Sequence, residues 1–394
     1  MIIFGGRGHF SAIGGVENSL RALVGSASAS QREAIIICRY ALTGESISGN
    51  GFSLPNGVNE INYRDDTCFS LWRRLINLFR GGVELPNIYK RLFVQHPNAV
   101  VIVRHHSHVL AAKFAGYQDV RYVIPSWSEN QLAAEIEGAD WTTKIRLLVH
   151  KKIDGYLQRK AVMISDVFVF SRSMKRQVMN ALPLKSEQKQ IRLVRPGIDA
   201  RRFYPGTQAE NLETRAKLGL PPSAVIWLFV GRFVHAKGLN YVLDALECSS
   251  ADSMLVMVGD GDLKDSLIRY IERKALQQKV RFFEKVLNVE DFYRACDVFV
   301  MSSSYEPFGQ TIIEASACGL PIAAFSKVSG AITATHELGL DFAISYADSR
   351  TGSSLKAAIS RALALSNDQA NRGNGEKTHD LFSWEALLAD LLAE

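Results

Sequence analysis

The sequence predicts an α/β chain of two Rossmann-like domains facing each other across a cleft, and three observations predict it. Short apolar runs rich in β-branched residues alternate with helical stretches, the mark of βαβ units around parallel sheets. The pattern starts twice, because an apolar run, a glycine-bearing loop and a helix open both "MIIFGGRGHFSAIGGVENSL" and, from Val225, "VIWLFVGRFVHAKGLNYVLDAL". The chain has 394 residues, long for one core and comfortable for two, since single cores stop growing near roughly 250 to 300 residues.

The strands follow in order. After the opening run come "AIIIC" (34–38), "AVVIV" (99–103) and "VFVF" (167–170) in the first half. The second half supplies "VIWLFV" (225–230), "MLVMV" (254–258), "VRFF" (280–283), "DVFVM" (297–301) and "PIAAF" (321–325). Between the halves lies "VRPGIDARRFYPGTQAE" (194–210), whose Pro196, Gly197, Pro205 and Gly206 interrupt any regular element and read as a domain linker. The first domain is placed at 1–199 and the second at 200–383. No fixed-period repeat is present, and the only low-complexity stretches are "SASAS" and the polar "SNDQANRGNGEKTHD".

Composition narrows the classes. A hydrophobic content of 47% with 22% charged residues excludes wholesale disorder. The five cysteines are scattered and never spaced C-x-x-C, so they read as reduced, packed thiols of a cytoplasmic protein. The N-terminus passes from four apolar residues straight into glycines, unlike a signal peptide, and no apolar run reaches the 18 or so residues that span a bilayer. The net charge of +6 is unevenly placed: residues 1–200 hold 26 Lys and Arg against 16 Asp and Glu, and the remainder holds 20 against 24. A basic half serves an anionic partner or is a solvated surface.

Glycine loops after strands raise the possibility of a dinucleotide, but Gly5, Gly6, Gly8, Gly14 and Gly15 do not fit G-x-G-x-x-G. The second strand ends in Cys38, Arg39 and Tyr40, where an acidic ribose ligand would be needed. What such loops offer is backbone N–H groups and helix starts, the general solution for phosphate. In "VGRFVHAKG" Arg232 and Lys237 converge at a strand exit; either alone is ordinary surface charge, and together they form a candidate diphosphate clamp. Asp260 and Asp262 in "VGDGDLKDSL" read as a turn and helix cap rather than a metal site, and no metal is called for.

The stretch "SSSYEPFGQTIIEASACGLPIA" (302–323) follows a buried strand and opens a helix at about Gly309. The N–H groups of Gly309, Gln310 and Thr311 then face an anion, with Phe308 beside them. Glu314, one turn on, suits a ribose diol, and Glu306 in the loop suits hydroxyls of a further sugar. "EKVLNVED" (284–291), with Val286, is placed under the base.

These motifs together resemble family 4 of the retaining GT-B glycosyltransferases, over nearly the whole chain. Its E-x7-E signature stands as Glu306 to Glu314, its "GR…KG" as Gly231, Arg232, Lys237 and Gly238, and its "GDG" as Gly259 to Gly261. Its domain join stands as "RPGIDARRFYP", its N-terminal loop as "GGVE" (Gly14 to Glu17) and its closing "FSW" as Phe382 to Trp384. The resemblance implies that Arg232 and Lys237 bind the donor diphosphate, Glu314 the ribose and Glu306 the donor sugar, with Gly15 close to the phosphate. It implies no cofactor beyond the nucleotide-diphosphate sugar itself, a saccharide or lipid-linked acceptor, and a last helix (384–394) crossing back to the first domain.

Many members carry a histidine after the strand in the middle of the first domain; here "RYVIPSWSEN" puts Pro125 or Ser126 there. Nearby "VIVRHHSHVL" supplies His105, His106 and His108, and His106 aligns best with another family histidine. Finally, "CFSLWRRLINLFRGG" (68–82) reads as a basic amphipathic helix with Phe69, Trp72, Leu75, Ile76 and Phe79 on one face. It is either a core helix or a dock on an anionic membrane. The expected protein is a cytoplasmic transferase, peripheral on the inner membrane face, that builds surface polysaccharide and binds no nucleic acid. A GT-B-fold epimerase or phosphorylase and a non-catalytic nucleotide-sugar binder are the rivals.

Overall fold

The computed structural model describes residues 1–6, 15–40, 58–63, 84–136, 141–183, 189–284, 286–365 and 368–393. The basic helix expected at 68–82, Gly14 and Cys68 lie outside the described residues. The chain divides into two units. The first comprises Met1–Glu129, Asp140–Gly197 and Trp384–Glu394; the second comprises Ile198–Ser383 with the short piece Asn130–Ala139, which a single boundary at 199 does not anticipate.

In the first unit the strands are β1 (Ile2–Gly6), β2 (Ile35–Tyr40), β3 (Asn59–Tyr63), β4 (Val100–Val103), β5 (Val120–Val123), β6 (Asp166–Val169) and β7 (Ile191–Leu193). They form one parallel sheet in the order β3-β2-β1-β4-β5-β6-β7. The helices between them are α1 (Gly15–Ser26), α2 (Ala29–Glu33), α3 (Glu84–Gln95), α4 (His106–Ala115), α5 (Ser128–Ile136), α6 (Trp141–Ile164) and α7 (Arg172–Ala181). The central strands are continuous apolar runs because helices cover both faces of a parallel sheet. Three strands fall outside the apolar runs expected: β5, "VRYV", lies inside the sheet, while the polar "NEINY" of β3 and the three-residue "IRL" of β7 sit at its edges.

The second unit repeats the plan. It contains α8 (Gln208–Lys217), β8 (Val225–Val230), α9 (Leu239–Glu247), β9 (Ser253–Val258), α10 (Lys264–Arg273), β10 (Val280–Phe283), α11 (Glu290–Ala295) and β11 (Val298–Met301). Then come β12 (Tyr305–Glu306), α12 (Gln310–Ala317), β13 (Ile322–Phe325), β14 (Ile332–Thr333), β15 (Ile344–Ala347), α13 (Gly352–Leu365) and α14 (Asp368–Leu381). The sheet is β10-β9-β8-β11-β13-β15, again parallel, with β12 and β14 as a separate two-strand ladder. Alternate residues of one strand enter opposite cores. Ile226 and Leu228 join Val256, Phe299 and Ile322 on one face, and Trp227 and Phe229 join Leu255, Val298 and Phe325 on the other.

The last helix, α15 (Trp384–Leu392), belongs to the first unit, where it packs on α1 and is tied to β5 through Arg121, whose guanidinium reaches the carbonyl oxygens of Leu391 and Ala393. Its first residue explains a linker glycine: a Cβ on Gly197 would lie 2.3 Å from the Trp384 ring, so no larger residue fits. Of the cysteines, Cys38, Cys296 and Cys318 are buried as expected, and burial pushes the Cys38 thiol up to about 12. Cys248 differs, being exposed.

Candidate active site

The strand-end loops of the second unit bring the predicted residues together. Beyond β8, Phe233 is fully buried and anchors a loop that ends in the short turn His235–Lys237. The loop after β11 is stitched onto it: Ser304 N donates to Ala236 O (2.9 Å), and Ser302 Oγ to Lys237 O (2.7 Å). Ser302 and Ser303 are themselves buried, which explains a run of three serines at a strand exit. The GDG turn is fixed the same way, with Gly231 N donating to Val258 O and Phe233 N to Asp260 O. Asp262 does not cap the next helix as expected; Leu263 holds the N-cap position without a side-chain bond. Among the described residues no cluster of His, Cys, Asp or Glu could hold a metal ion.

Across these loops Lys237 Nζ lies 2.5 Å from Glu306 Oε2, with the two side chains only 19% and 12% exposed. The Glu306 backbone is held by the β12–β14 ladder and by its carbonyl, which accepts from Ala334 N at 2.9 Å. Its other carboxylate oxygen accepts from Gly309 N at 3.1 Å. Gly309 therefore differs from expectation: its N–H is taken by Glu306 rather than offered to an anion. It sits at φ 89°, the left-handed conformation that glycine adopts freely, and so turns the chain into α12. Gln310 and Thr311 form the first turn of that helix, the end that carries partial positive charge. Arg232, at the exit of β8, is exposed.

One turn along α12, Glu314 is buried and accepts a hydrogen bond from Tyr293 Oη (2.9 Å). Burial raises its pKa to about 7, against the opposing pull of Tyr293, Arg202 and Gln310. Arg202 comes from the linker. Its Nη2 donates to Leu287 O (2.6 Å) and to Glu290 Oε2 (2.7 Å), while Arg294 Nη1 holds the Arg202 carbonyl (2.8 Å). It thus ties the linker to the 286–290 loop that carries Val286, which packs on the adjacent core. The sequence reading missed Arg202 and Tyr293. Arg202 stands inside "RPGIDARRFYP", a stretch that reads as linker; Tyr293, mid-helix and buried, has no signal of its own.

In the first unit the three histidines part company. His105 caps α4, its Nδ1 accepting from Ser107 N (3.2 Å), and His108 is fully buried with its Nδ1 3.0 Å from Tyr89 Oη. His106 opens α4 with Nε2 3.9 Å from Asp154 Oδ1, an ion pair when the ring is protonated. Ser126 lies beyond β5, its carbonyl accepting from Gln158 Nε2 (2.9 Å). Gly15 opens α1.

Residues 210–375 match the family described as Glycosyl transferases group 1. A lipopolysaccharide core biosynthesis glycosyltransferase of Rhizobium meliloti is 35% identical over 119 residues, 30% of this chain and 35% of that protein. The chain spans from about a third to about half of the length of the curated relatives it matches, 36%, 54% and 42% for three of them. Among solved structures, sucrose-phosphate synthase from Thermosynechococcus elongatus superposes with a TM-score of 0.77 at 19% identity, over 99% of this chain and 97% of that one. An Anabaena protein, HepE, in complex with UDP-glucose superposes with a TM-score of 0.72 at 14% identity, over 99% and 98%. The fold is GT-B.

Proposed function

We propose, for a chain whose residues 210–375 match the glycosyl transferases group 1, a retaining, metal-independent hexosyltransferase of family 4. It moves a sugar from a UDP- or GDP-sugar to a saccharide or lipid-linked acceptor, at the cytoplasmic membrane face, in the building of bacterial surface polysaccharide or lipopolysaccharide. One observation carries the reading: Lys237 and Glu306 pair 2.5 Å apart at the start of α12, with Glu314 one turn farther on. A nucleotide-diphosphate sugar calls for those parts, a cation and helix start for the diphosphate, one carboxylate for the sugar and one for the ribose. The lipopolysaccharide relative and the UDP-glucose complex of the Anabaena protein support it.

The chemistry follows from the charges. As the bond from C1 of the donor sugar to the phosphate oxygen breaks, the sugar becomes oxocarbenium-like and charge grows on the diphosphate. Arg232, Lys237 and the first turn of α12 stabilise that charge more than they stabilise the bound donor, which is what lowers a barrier. The acceptor oxygen attacks the face the phosphate is leaving, and its proton passes to the departing phosphate oxygen. Configuration at C1 is thereby retained. In this reading Glu306 orients the donor sugar and keeps Lys237 in place until the diphosphate takes it, and His106 contacts the sugar.

A thermal-shift screen against UDP, GDP, ADP and their sugars tests the donor class. A ligand at 100 times its dissociation constant stabilises by about 2.7 kcal/mol, which the melting temperature reports. A shift with one nucleoside diphosphate, followed by turnover of its sugar that EDTA leaves unchanged, is the expected outcome. No shift with any of them would remove the reading.

A further inference from the structure

The outer side of α6 carries a chemistry that donor binding does not use. Trp141, Ile145, Leu148 and Val149 recur at helical spacing, and all four are exposed, Trp141 by 73%, Ile145 by 55% and Leu148 by 48%. Tyr156 and Met163 continue the same side. A surface helix ordinarily turns such a stripe inward. Here Gly155, Gln158, Ala161 and Val162 fill the buried side instead, so the apolar stripe is left facing outward.

Charge accompanies the stripe. The helix holds six Lys and Arg against one acid. Lys144, Lys152 and Lys160 are exposed and interleave with the apolar residues, and Lys160 Nζ sits 5.6 Å from the Tyr156 ring. The one acid, Asp154, is only partly exposed and lies on another side, 3.9 Å from His106. The neighbouring helices extend the pattern. α4 packs between α6 and α3, and they add exposed Phe114 and Val94, with Lys90 Nζ 4.7 Å over the Phe114 ring.

From this juxtaposition we infer that α6 lies flat on an anionic bilayer surface, with Trp141, Ile145, Leu148 and Tyr156 in the headgroup region and the lysines on lipid phosphates. Bulky apolar residues interleaved with lysines, with an aromatic at the helix start, match a layer that is apolar beneath and anionic above. Long lysine stems let the ammonium groups rise to the phosphates while the stripe sinks. A second copy of the same face would set lysines against lysines, an unfavourable pairing for a dimer. Spanning is a different matter, since no helix among the described residues is long and apolar enough to cross a membrane. The inference rests on the proposed membrane-borne acceptor for its purpose, and on α6 for its evidence.

Flotation of the full chain with vesicles tests it. The wild type should bind vesicles of 30 mol% phosphatidylglycerol in phosphatidylcholine at low salt, bind pure phosphatidylcholine at least about tenfold more weakly, and be released as salt rises. Two triple variants, Trp141→Ser/Ile145→Ser/Leu148→Ser and Lys144→Glu/Lys152→Glu/Lys160→Glu, change only exposed side chains. Each should lose at least about tenfold in vesicle affinity while its circular dichroism and UDP-induced thermal shift stay those of the wild type. Wild-type binding by both variants, or wild-type binding blind to lipid charge and salt, overturns the inference. So does failure of the wild type to bind vesicles, including the case where it dimerises and the serine variant abolishes the dimer. Lost UDP binding with intact flotation would remove the proposed function and leave the docking face standing.

Discussion

In the second unit the residues read as donor ligands come from adjacent strand ends and hold one another: Lys237 after β8 grips Glu306 after β11, and Glu306 grips the start of α12. In the first unit His106 meets Asp154, which stands 3.9 Å away on a different helix, a looser pair than Lys237 with Glu306. If the second unit takes a diphosphate, as proposed, its ligand has a charge whose chemistry hardly varies, and its residues can be fixed before the ligand arrives. The first unit carries a helical layer with exposed apolar and basic residues instead, the kind of surface that varies with the partner.

The largest test of that contrast strikes the pre-formed pair. Lys237→Ala removes the diphosphate cation and leaves the Glu306 carboxylate without its partner, so transfer should fall by about 100-fold or more, the scale of losing one transition-state donor. Arg232→Ala, at an exposed position with no ion pair among the described residues, should cost roughly tenfold, as for a single hydrogen bond to a charged group. Calorimetry with the cognate nucleoside diphosphate and initial rates decide. Native affinity in both variants removes the clamp.

A second experiment separates the units directly. His106→Gln should slow sugar transfer by about tenfold, the value of one charge-assisted contact, while leaving affinity for the bare nucleoside diphosphate unchanged. Diphosphate affinity lost in step with the rate would mean that His106 supports the fold and not the reaction.

How much of this could be read from residue order follows the same divide. The alternation of "VIWLFV", "MLVMV" and "DVFVM" with helices declared the parallel sheets, because a strand buried on both faces must be apolar throughout. The edge strands β3 and β7 escaped since an edge needs no such run, and "NEINY" looks like any polar loop. The strand exit that carries Arg232 and Lys237 and the helix start at Gln310 were legible because each strand end, loop and helix start lie within a few residues of one another. The Lys237–Glu306 bond was not, since 69 residues separate its partners. Nor was the diversion of the Gly309 N–H to a carboxylate three residues back, for a glycine before a helix reads the same whichever acceptor it meets.

The buried carboxylate predicts a pH effect of similar size. Glu314 has its pKa raised by burial to about 7, so its protonated form stabilises the free protein fully below the ordinary carboxylate range, and that contribution is lost as pH rises through about 7. A ribose diol needs the ionised form as acceptor, so binding must expel the proton. Affinity for a nucleotide sugar, whose diphosphate does not titrate here, should be about tenfold weaker at pH 6 than at pH 8. Glu314→Gln should bind weakly and flatten that dependence, whereas Glu306→Gln should keep it, spare the bare diphosphate and damage transfer. A flat wild-type profile would place the ribose elsewhere.

The smallest expected effect belongs to Arg202, the linker residue that touches none of the predicted ligands. Its side chain is 43% exposed, so solvent screens its pair with Glu290, and such pairs are worth less than about 1 kcal/mol. Arg202→Ala should therefore weaken nucleotide-sugar binding only about threefold. The profile, however, should move in a definite direction: with one cation fewer near Glu314, the carboxyl holds its proton to higher pH, and the affinity midpoint rises above that of the wild type. Arg202→Lys keeps the charge and loses the forked grip on Leu287 O and Glu290, so it should restore the midpoint but not the affinity. If alanine and lysine shift the midpoint equally, the linker arginine acts by holding the 286–290 loop and its charge is incidental.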